Sequence, residues 1–350
     1  INGDWSSDVC SSDLFFSGYI SSDIAPVVFG IVYLGLTAAV VIAGVNKGIE
    51  RFSKVLMPIL FFLIIGISIF CLTLDYTDAS GTTRTGLEGL KIYVIPDFSD
   101  ITFNKIFTVF IDALGQLFYS ISVAMGIMVA YGSYVKKDVN LMNSINQIEI
   151  FDTLVAFFAG LMIIPAVFVF MGRDGMSAGA GLMFISLPKV FYAMGPVGNV
   201  IGFAFFLMVT FAALTSSVSI MEAIVSSMMD KFHLSRRKSA VIVTIYALIM
   251  GIIVCMGYNK LYFEFKLPNG TKAQILDVMD YLSNNCLMPL VAVLTCILIG
   301  WGVKPKTIID EVTEGGFKFR RKTLYIIMVK FIAPVMLVLL LLQSLGIIKL

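Results

Sequence analysis

Residues 113–138 read ALGQLFYSISVAMGIMVAYGSYVKKD, and this stretch decides how the rest of the chain is interpreted. Most of it is apolar enough to lie in a bilayer, yet its centre carries glutamine, serine and glycine where a simple membrane anchor would have leucine. Small and hydroxyl-bearing residues permit a break in a membrane helix, and the freed backbone groups can bind an ion or a polar ligand. The same residues also suit close packing between helices, so this stretch alone leaves both interpretations open.

The composition around this stretch is that of a membrane protein. The chain has 350 residues, of which 58% are hydrophobic and 14% charged, and its mean hydropathy is +0.93. A soluble protein would carry about 25% charged residues. The net charge of +2 comes without a long basic run, so a nucleic-acid partner is not expected. With one histidine and no nucleophile–base arrangement at membrane depth, the protein is not expected to be an enzyme.

Eight apolar stretches are each long enough to cross a bilayer, which takes about 20 residues. They are continuous and lack the alternation of membrane β-barrels, so we predict an all-α, polytopic protein. Lysine and arginine are densest at 236–238 and 318–322, which places those loops in the cytoplasm and the protein in the cell membrane (inner or plasma membrane). The predicted spans are 25–45, 55–74, 106–134, 148–170, 197–229, 239–258, 281–303 and 324–348.

The first fourteen residues, INGDWSSDVCSSDL, differ abruptly in character from the apolar chain that begins at Phe15. They are rich in serine and aspartate and lack the basic and apolar regions of a signal peptide. From Asp4 onward they look like a translated short-read sequencing adapter. We therefore expect residues 1–14 to be non-native, residues 15–350 to form a single transmembrane domain, and the reading frame to begin partway through a gene.

Four ionisable residues fall within or close to predicted spans, where charge is costly and often functional. Asp152 and Glu222 are flanked by apolar residues, and for these two we favour a functional or hydrogen-bonding role. For Asp112, simple solvation of the carboxyl near the outer interface explains its position as well as a function would. For Lys330, we expect the amine to extend to the cytoplasmic surface.

Two further patterns are informative. Small and hydroxyl-bearing residues recur at helical spacing in 211–220 and present oxygens to one face, which suits a hard cation such as sodium or, equally, helix packing. Gly48 and Pro58 bracket the start of the second span, where both weaken a helix. That end of the span could unwind to admit water, or could hold a static kink.

With these residues in view, the chain resembles the neurotransmitter:sodium symporter family, most closely its bacterial amino-acid members. The resemblance extends over 15–350 in the order and spacing of the family's fourth to eleventh helices. It is carried by GVNKGIERFSKVLMP (44–58), ALGQLFYSISVAMGIMVAYGSYVKKD (113–138), GLMFISLPKVF (181–191), FAALTSSVSIMEA (211–223) and LDVMDYLSNN (276–285).

The resemblance implies the LeuT-type fold of two inverted repeats of five helices, here lacking its first three helices, with substrate and sodium held at broken helices. The break in the family's sixth helix would fall at 119–122. Matching positions assign substrate contacts to Tyr119, Ser120, Ser122, Met125, Ser216 and Ile220. They assign the first sodium site to Ser120 and Asp152, and the second to Ala212, Thr215 and Ser216. Asp280 matches the outer gate, Asp230 the inner gate, and Gly48 and Pro58 a hinge.

The resemblance also implies the function: sodium-coupled symport of hydrophobic or aromatic amino acids, with two sodium sites in the full-length protein. Chloride is not expected, because Asp152 supplies a fixed negative charge where animal members use chloride, and Ala156 replaces a chloride-binding serine. The chain as given should be a fragment that does not transport alone. A non-transporting membrane scaffold or a channel is the alternative. The pattern leaves the oligomeric state open.

Overall fold

The computed structural model describes residues 15–77, 81–96, 98, 102–136, 138–173, 182–268, 270, 272–314 and 316–348. Residues 1–14 lie outside this range, and the expectation that they are non-native stays a prediction. Contacts divide the chain into two compact units, with boundaries after residues 98, 152 and 218. The first unit takes in residues up to 98 together with 153–218, and the second takes in 99–152 together with residues from 219 onward.

Helices dominate both units. In chain order they are α1 (Ala25–Ile42), α2 (Glu50–Leu72), α3 (Gly86–Val94), α4 (Phe103–Ser120), α5 (Ile127–Tyr134), α6 (Leu141–Met171), α7 (Leu187–Ala193), α8 (Pro196–Phe232), α9 (Arg236–Met256), α10 (Ile275–Asp280), α11 (Met288–Ile297), α12 (Pro305–Thr313), α13 (Lys322–Ile327) and α14 (Ala333–Ser344). Short π-helical turns occupy Val45–Ile49, Leu182–Ser186, Tyr281–Leu287, Leu298–Val303 and Met328–Ile332. The strands form two antiparallel hairpins, β1 (Asp75–Thr77) with β2 (Thr83–Thr85) and β3 (Phe265–Lys266) with β4 (Lys272–Ala273).

Within the described residues, seven helical segments are long and apolar enough to cross a membrane. The predicted all-α, multi-pass architecture is therefore confirmed. The seven segments correspond to seven of the eight predicted spans, and the remaining prediction, 106–134, is two helices, α4 and α5, instead of one. The seven segments are Ala25–Ile42, Glu50–Leu72, Leu141–Met171, Pro196–Phe232, Arg236–Met256, Ile275–Val303 and Lys322–Ser344.

The core of the first unit joins α2, α7 and parts of α6 and α8. On α2, Leu60, Ile64 and Ile67 are buried at helical spacing and form one face of this core. Lipid tails are as apolar as these side chains, so close packing and hydrogen bonds stabilise the contact more than exclusion from water does. Buried Ser68 provides one such bond, donating to the carbonyl of Phe158 at 2.8 Å.

In the second unit, α11 packs along α14. The π-helical turn that precedes α11 begins at Tyr281, whose buried ring leaves its hydroxyl within reach of the end of α14. That hydroxyl donates to the carbonyl of Ser344 at 2.7 Å. A carbonyl in the last turn of a helix has no partner within the helix, so this bond satisfies the end of α14.

Candidate functional site

The helix break predicted in 113–138 is present and defines the site in the second unit. Helix α4 ends at Ser120, residues 121–126 form a turn, and α5 begins at Ile127. Ser122, Ala124 and Gly126 all have positive φ, at 57°, 64° and 78°. A left-handed conformation costs a non-glycine residue about 1–3 kcal/mol, so the surrounding structure holds this turn open. The amides of residues 121–123 bond back to carbonyls of 117–119, and the regular helical hydrogen-bond pattern ends there.

Ser120 and Asp152 meet at this break. The hydroxyl of Ser120, in the last residue of α4, donates to Oδ1 of Asp152 at 2.5 Å. Asp152 is half-buried on α6, within the same unit. The structure thus brings together the two residues that the resemblance assigns to one sodium site. Hydroxyl, carboxylate and backbone carbonyl oxygens are the ligands that hard cations prefer.

A cavity of about 530 Å³ opens beside the same helix, also within the second unit. Tyr119 lines its wall, and so do Asp112 and Asp280. Asp280, the last residue of α10, accepts a hydrogen bond from Nδ2 of Asn284 at 2.6 Å. Asp112 is exposed and faces this polar cavity, in agreement with the solvated interpretation of its carboxyl. The complete lining is Ile111, Asp112, Gly115, Gln116, Tyr119, Asp280, Asn284, Asn285, Met288, Leu340, Gln343 and Ser344.

The other substrate residues predicted in this unit lie apart from that cavity. Ser122 is half-buried in the turn, and Met125 packs against a small core formed by Ile127, Ala130 and Ala223. Ile220 lies on α8 with 48% of its surface exposed.

The small polar face of α8 lies in the first unit. Thr215 is buried, and its hydroxyl donates to the carbonyl of Ala212 at 2.9 Å. Ala212 and Ser216 are exposed. A backbone carbonyl, a threonine hydroxyl and a serine hydroxyl are therefore within one turn of α8, which is the ligand chemistry predicted for the second sodium site.

The predicted gate and hinge residues occupy distinct places. Asp230 is exposed near the end of α8. Gly48 lies in the π-helical turn before α2, where a Cβ would clash with the carbonyl of Val40. Pro58 lies inside α2, which runs unbroken from Glu50 to Leu72. The backbone irregularity is therefore at Gly48 and not at Pro58.

Glu222 forms a polar cluster that the sequence indicated only in part. Its carboxylate is fully buried and accepts two bonds from Arg236, at 2.6 and 2.9 Å, and one from the hydroxyl of Tyr134 at 2.8 Å. One turn away, the hydroxyls of Tyr131 and Ser219 are 2.8 Å apart. The favoured hydrogen-bonding role of Glu222 agrees with this geometry, whereas its partners were missed.

A spacing pattern could have revealed those partners. Tyr131 and Tyr134 are three residues apart on α5, and Ser219 and Glu222 are three apart on α8. Residues at this spacing share a helix face, so two packed helices can make both bonds at once. These contacts connect the short helix α5 to α8 within the second unit.

Two helices separated by a turn, with hydroxyl and carboxylate groups at that turn, are typical of the broken-helix class of secondary transporters. Comparison with known families identifies the family within that class. The model of the sodium:neurotransmitter symporter family matches residues 17–349, and the chain belongs to this family. Its members are secondary transporters, so the chain is a multi-pass membrane protein of a sodium-dependent transporter family and is not an enzyme.

Similar proteins come from distant organisms. An uncharacterised sodium-dependent transporter of Bacillus subtilis, YhdH, is 32% identical over 337 residues, which is 95% of this chain and 70% of that protein. MJ1319 of Methanocaldococcus jannaschii, also an uncharacterised sodium-dependent transporter, is 30% identical over 80% of this chain and 54% of its own length. Among solved structures, MhsT in complex with L-phenylalanine matches with a TM-score of 0.78 at 32% identity, covering 94% of this chain and 70% of MhsT.

Proposed function

We propose that the transporter represented by this chain couples sodium entry to the uptake of hydrophobic or aromatic amino acids by alternating access. The observation that carries the proposal is the contact between Ser120 and Asp152 at the helix break. A hydroxyl oxygen and a carboxylate oxygen therefore lie together where the regular helix ends, beside the turn at 121–126. The first sodium ion would be held there, and a second on α8 by Ala212, Thr215 and Ser216.

The substrate class is inferred from side chains near the break and on α8. Tyr119, Met125 and Ile220 offer aromatic, flexible and branched apolar surface, which suits bulky apolar side chains. The solved relative MhsT is described in complex with L-phenylalanine, an amino acid of this class. Ser122 and the turn at 121–126 would bind the polar end of the substrate.

The role of the negative charge at Asp152 is part of the proposal. Sodium in a low-dielectric site needs a compensating charge. A fixed carboxylate supplies it permanently, so uptake should not require chloride. Ala156, one turn along α6, has no hydroxyl that could bind chloride in its place.

Uptake into proteoliposomes tests the function. The chain covers 70% of YhdH, and we propose that the remaining part of such a transporter is needed for activity. The assay therefore compares the chain alone with the chain joined to the part of YhdH that it does not match. We expect only the joined protein, and not the chain by itself, to accumulate labelled phenylalanine, leucine, tryptophan or tyrosine under a sodium gradient. Labelled glutamate is the control substrate and should not accumulate. Uptake that is unchanged when potassium replaces sodium would reject the mechanism, and a steady leak of solutes would favour a channel.

Replacing Asp152 by asparagine tests the charge argument. In the joined protein we expect Asp152→Asn to lower uptake about tenfold or more, because about 1.4 kcal/mol of lost charge compensation already corresponds to that factor. The double variant Asp152→Asn/Ala156→Ser should recover uptake in chloride but not in gluconate. A parent protein that already needs chloride would contradict the proposal.

A further inference from the structure

The hairpin that connects α9 to α10 has an apolar side that the protein leaves uncovered. Residues 261–267 read LYFEFKL, with apolar and polar side chains in alternation. Phe265 and Lys266 form β3, where successive side chains point to opposite sides. Before β3, the hydroxyl of Tyr262 bonds the carboxylate of Glu264, so these two polar groups lie together. The apolar residues of this stretch are Leu261, in the preceding turn, Phe263 and Phe265. The three apolar residues are 46%, 46% and 53% exposed.

The hairpin is held in place at its far end. Leu267 and Ala273 are buried against Tyr281 in a small core, and β3 pairs with β4 through Phe265 and Ala273. Unlike Leu261, Phe263 and Phe265, Leu267 is only 8% exposed. The exposed apolar residues within 261–265 therefore lead directly into this small core, which holds one end of the hairpin.

The polar side of the hairpin is also fixed. Lys272 Nζ lies 2.7 Å from Glu264 Oε2, and the hydroxyl of Tyr262 donates to Glu264 Oε1 at 2.8 Å. The hydrogen bond from Lys272 lowers the pKa of the Glu264 carboxyl, so this carboxylate stays ionised at neutral pH. These bonds hold Tyr262 and Glu264 on one side of the hairpin. The apolar side faces away from them.

The position in the chain indicates what covers the apolar side. Helix α9 ends at Met256, α10 begins at Ile275, and both belong to membrane-spanning segments. Both ends of the loop 257–274 therefore lie where those helices leave the bilayer. Aromatic side chains concentrate at that level, and lysines there extend their amines toward lipid headgroups.

We propose that this hairpin is a lipid anchor: Leu261, Phe263 and Phe265 insert between headgroups and acyl chains of the leaflet in which α9 ends. Tyr262 and Glu264 face water, and Lys266 reaches the lipid phosphates. The exposed apolar side is thus continuous with the lipid-facing surface of the neighbouring spans. The anchor would hold the outer ends of α9 and α10 at a constant depth and does not depend on the proposed transport activity.

Tryptophan fluorescence in lipid vesicles tests the anchor. Trp5 and Trp301 are replaced by phenylalanine, and a single reporter is introduced as Phe263→Trp in the full chain, reconstituted in phosphatidylcholine vesicles. Phosphatidylcholine brominated near the headgroup end of its acyl chains should quench the reporter strongly, and lipid brominated near the chain ends should quench it less. The matched reporter Lys266→Trp, on the polar side, should be quenched roughly half as much or less, since side chains on that side face headgroups and water.

Two outcomes would overturn the anchor. Equal quenching of both reporters by brominated lipid would show no preferred side. A reporter at 263 that resists both brominated lipid and aqueous acrylamide would show that protein, such as a second copy of the chain, covers this side. Phe265→Ser in the Phe263→Trp background should reduce quenching by lipid brominated near the headgroup end of its acyl chains. An unchanged melting temperature of this variant confirms that the fold is intact.

Discussion

At the residue scale, the most consequential group is Glu222. A carboxylate removed from water is strongly unfavourable unless it is paired and hydrogen-bonded. Glu222 has 0% of its surface exposed, and the fork of Arg236 and the hydroxyl of Tyr134 bond both of its oxygens. The bidentate geometry is specific to a planar guanidinium, which a lysine cannot reproduce.

Removing Arg236 should therefore destabilise the fold. We expect Arg236→Ala to cost about 3–5 kcal/mol, because it leaves a buried carboxylate unpaired. The measurement is the free energy of unfolding in mixed micelles. The control is Arg321→Ala, which removes the 3.3 Å pair between Arg321 and Glu149, whose side chains are 58% and 50% exposed. That change should cost at most about 1 kcal/mol.

The double variant separates charge from packing. If the loss in Arg236→Ala comes from the unpaired charge, Glu222→Gln should recover part of it in the same background. No recovery, or equal losses for Arg236→Ala and Arg321→Ala, would contradict the assignment of Glu222 as a buried charge that depends on its partner.

At the scale of elements, the interrupted helix α4–α5 is the decisive feature. Serine and glycine in an apolar run left both a helix break and a packing face open, and the family resemblance implied a break at 119–122. The structure has a break, but α4 continues through Ser120 and the turn occupies 121–126. The shift could not be read from residue types, because Ser122 and Ala124 adopt positive φ without being glycine.

Gly126 allows a direct test of the turn. Neither Gly126 nor Gly132 has any atom within 4 Å of an added Cβ, but Gly126 has φ +78° whereas Gly132 is helical. Gly126→Ala should lower the free energy of unfolding by about 1–2 kcal/mol, the cost of a left-handed conformation with a Cβ. Gly132→Ala should be neutral or stabilising by up to about 1 kcal/mol. The same unfolding measurement applies, and equal effects would mean that the turn is not held at this φ.

The cluster around Glu222 shows where sequence reasoning ends. Glu222 stood out because a charge in an apolar span is costly, but Arg236 was counted only as a cytoplasmic loop cation. Their pairing depends on how the chain turns back between α8 and α9, which residue spacing along one helix does not contain. The clustering of Ala212, Thr215 and Ser216 on α8 was more predictable, since these residues lie within one turn of a single regular helix.

At the scale of the whole molecule, the few charged groups at membrane depth are each accommodated by the surrounding structure. The three carboxylates at or near membrane depth each have polar surroundings: a cavity for Asp112, a hydroxyl for Asp152 and a guanidinium for Glu222. The seven spanning segments were predictable because continuous apolar runs of that length admit no other stable structure in lipid.

Orientation is the prediction at this scale. Lysine and arginine at the ends of α8 and α9 flank the loop between these helices and should keep it in the cytoplasm. In a variant without native cysteines, Arg237→Cys should react with a membrane-impermeant maleimide only in inside-out vesicles, and Lys260→Cys only in right-side-out vesicles. Labelling of both positions from the same side would contradict the assignment of the loops.

The interruption between α4 and α5 also bears on how the protein enters the membrane during synthesis. Neither piece is among the seven segments long and apolar enough to insert unaided, and α5 has only 8 residues, or about 12 Å of helix. We expect stable insertion of α5 to wait for the part of α8 that carries Ser219 and Glu222, which bond Tyr131 and Tyr134. The ribosome makes Ser219 and Glu222 88 residues after those two tyrosines. The segment on which ion binding is proposed to depend would therefore be among the last to settle, and a nascent chain halted before α8 should leave it open to proteolysis.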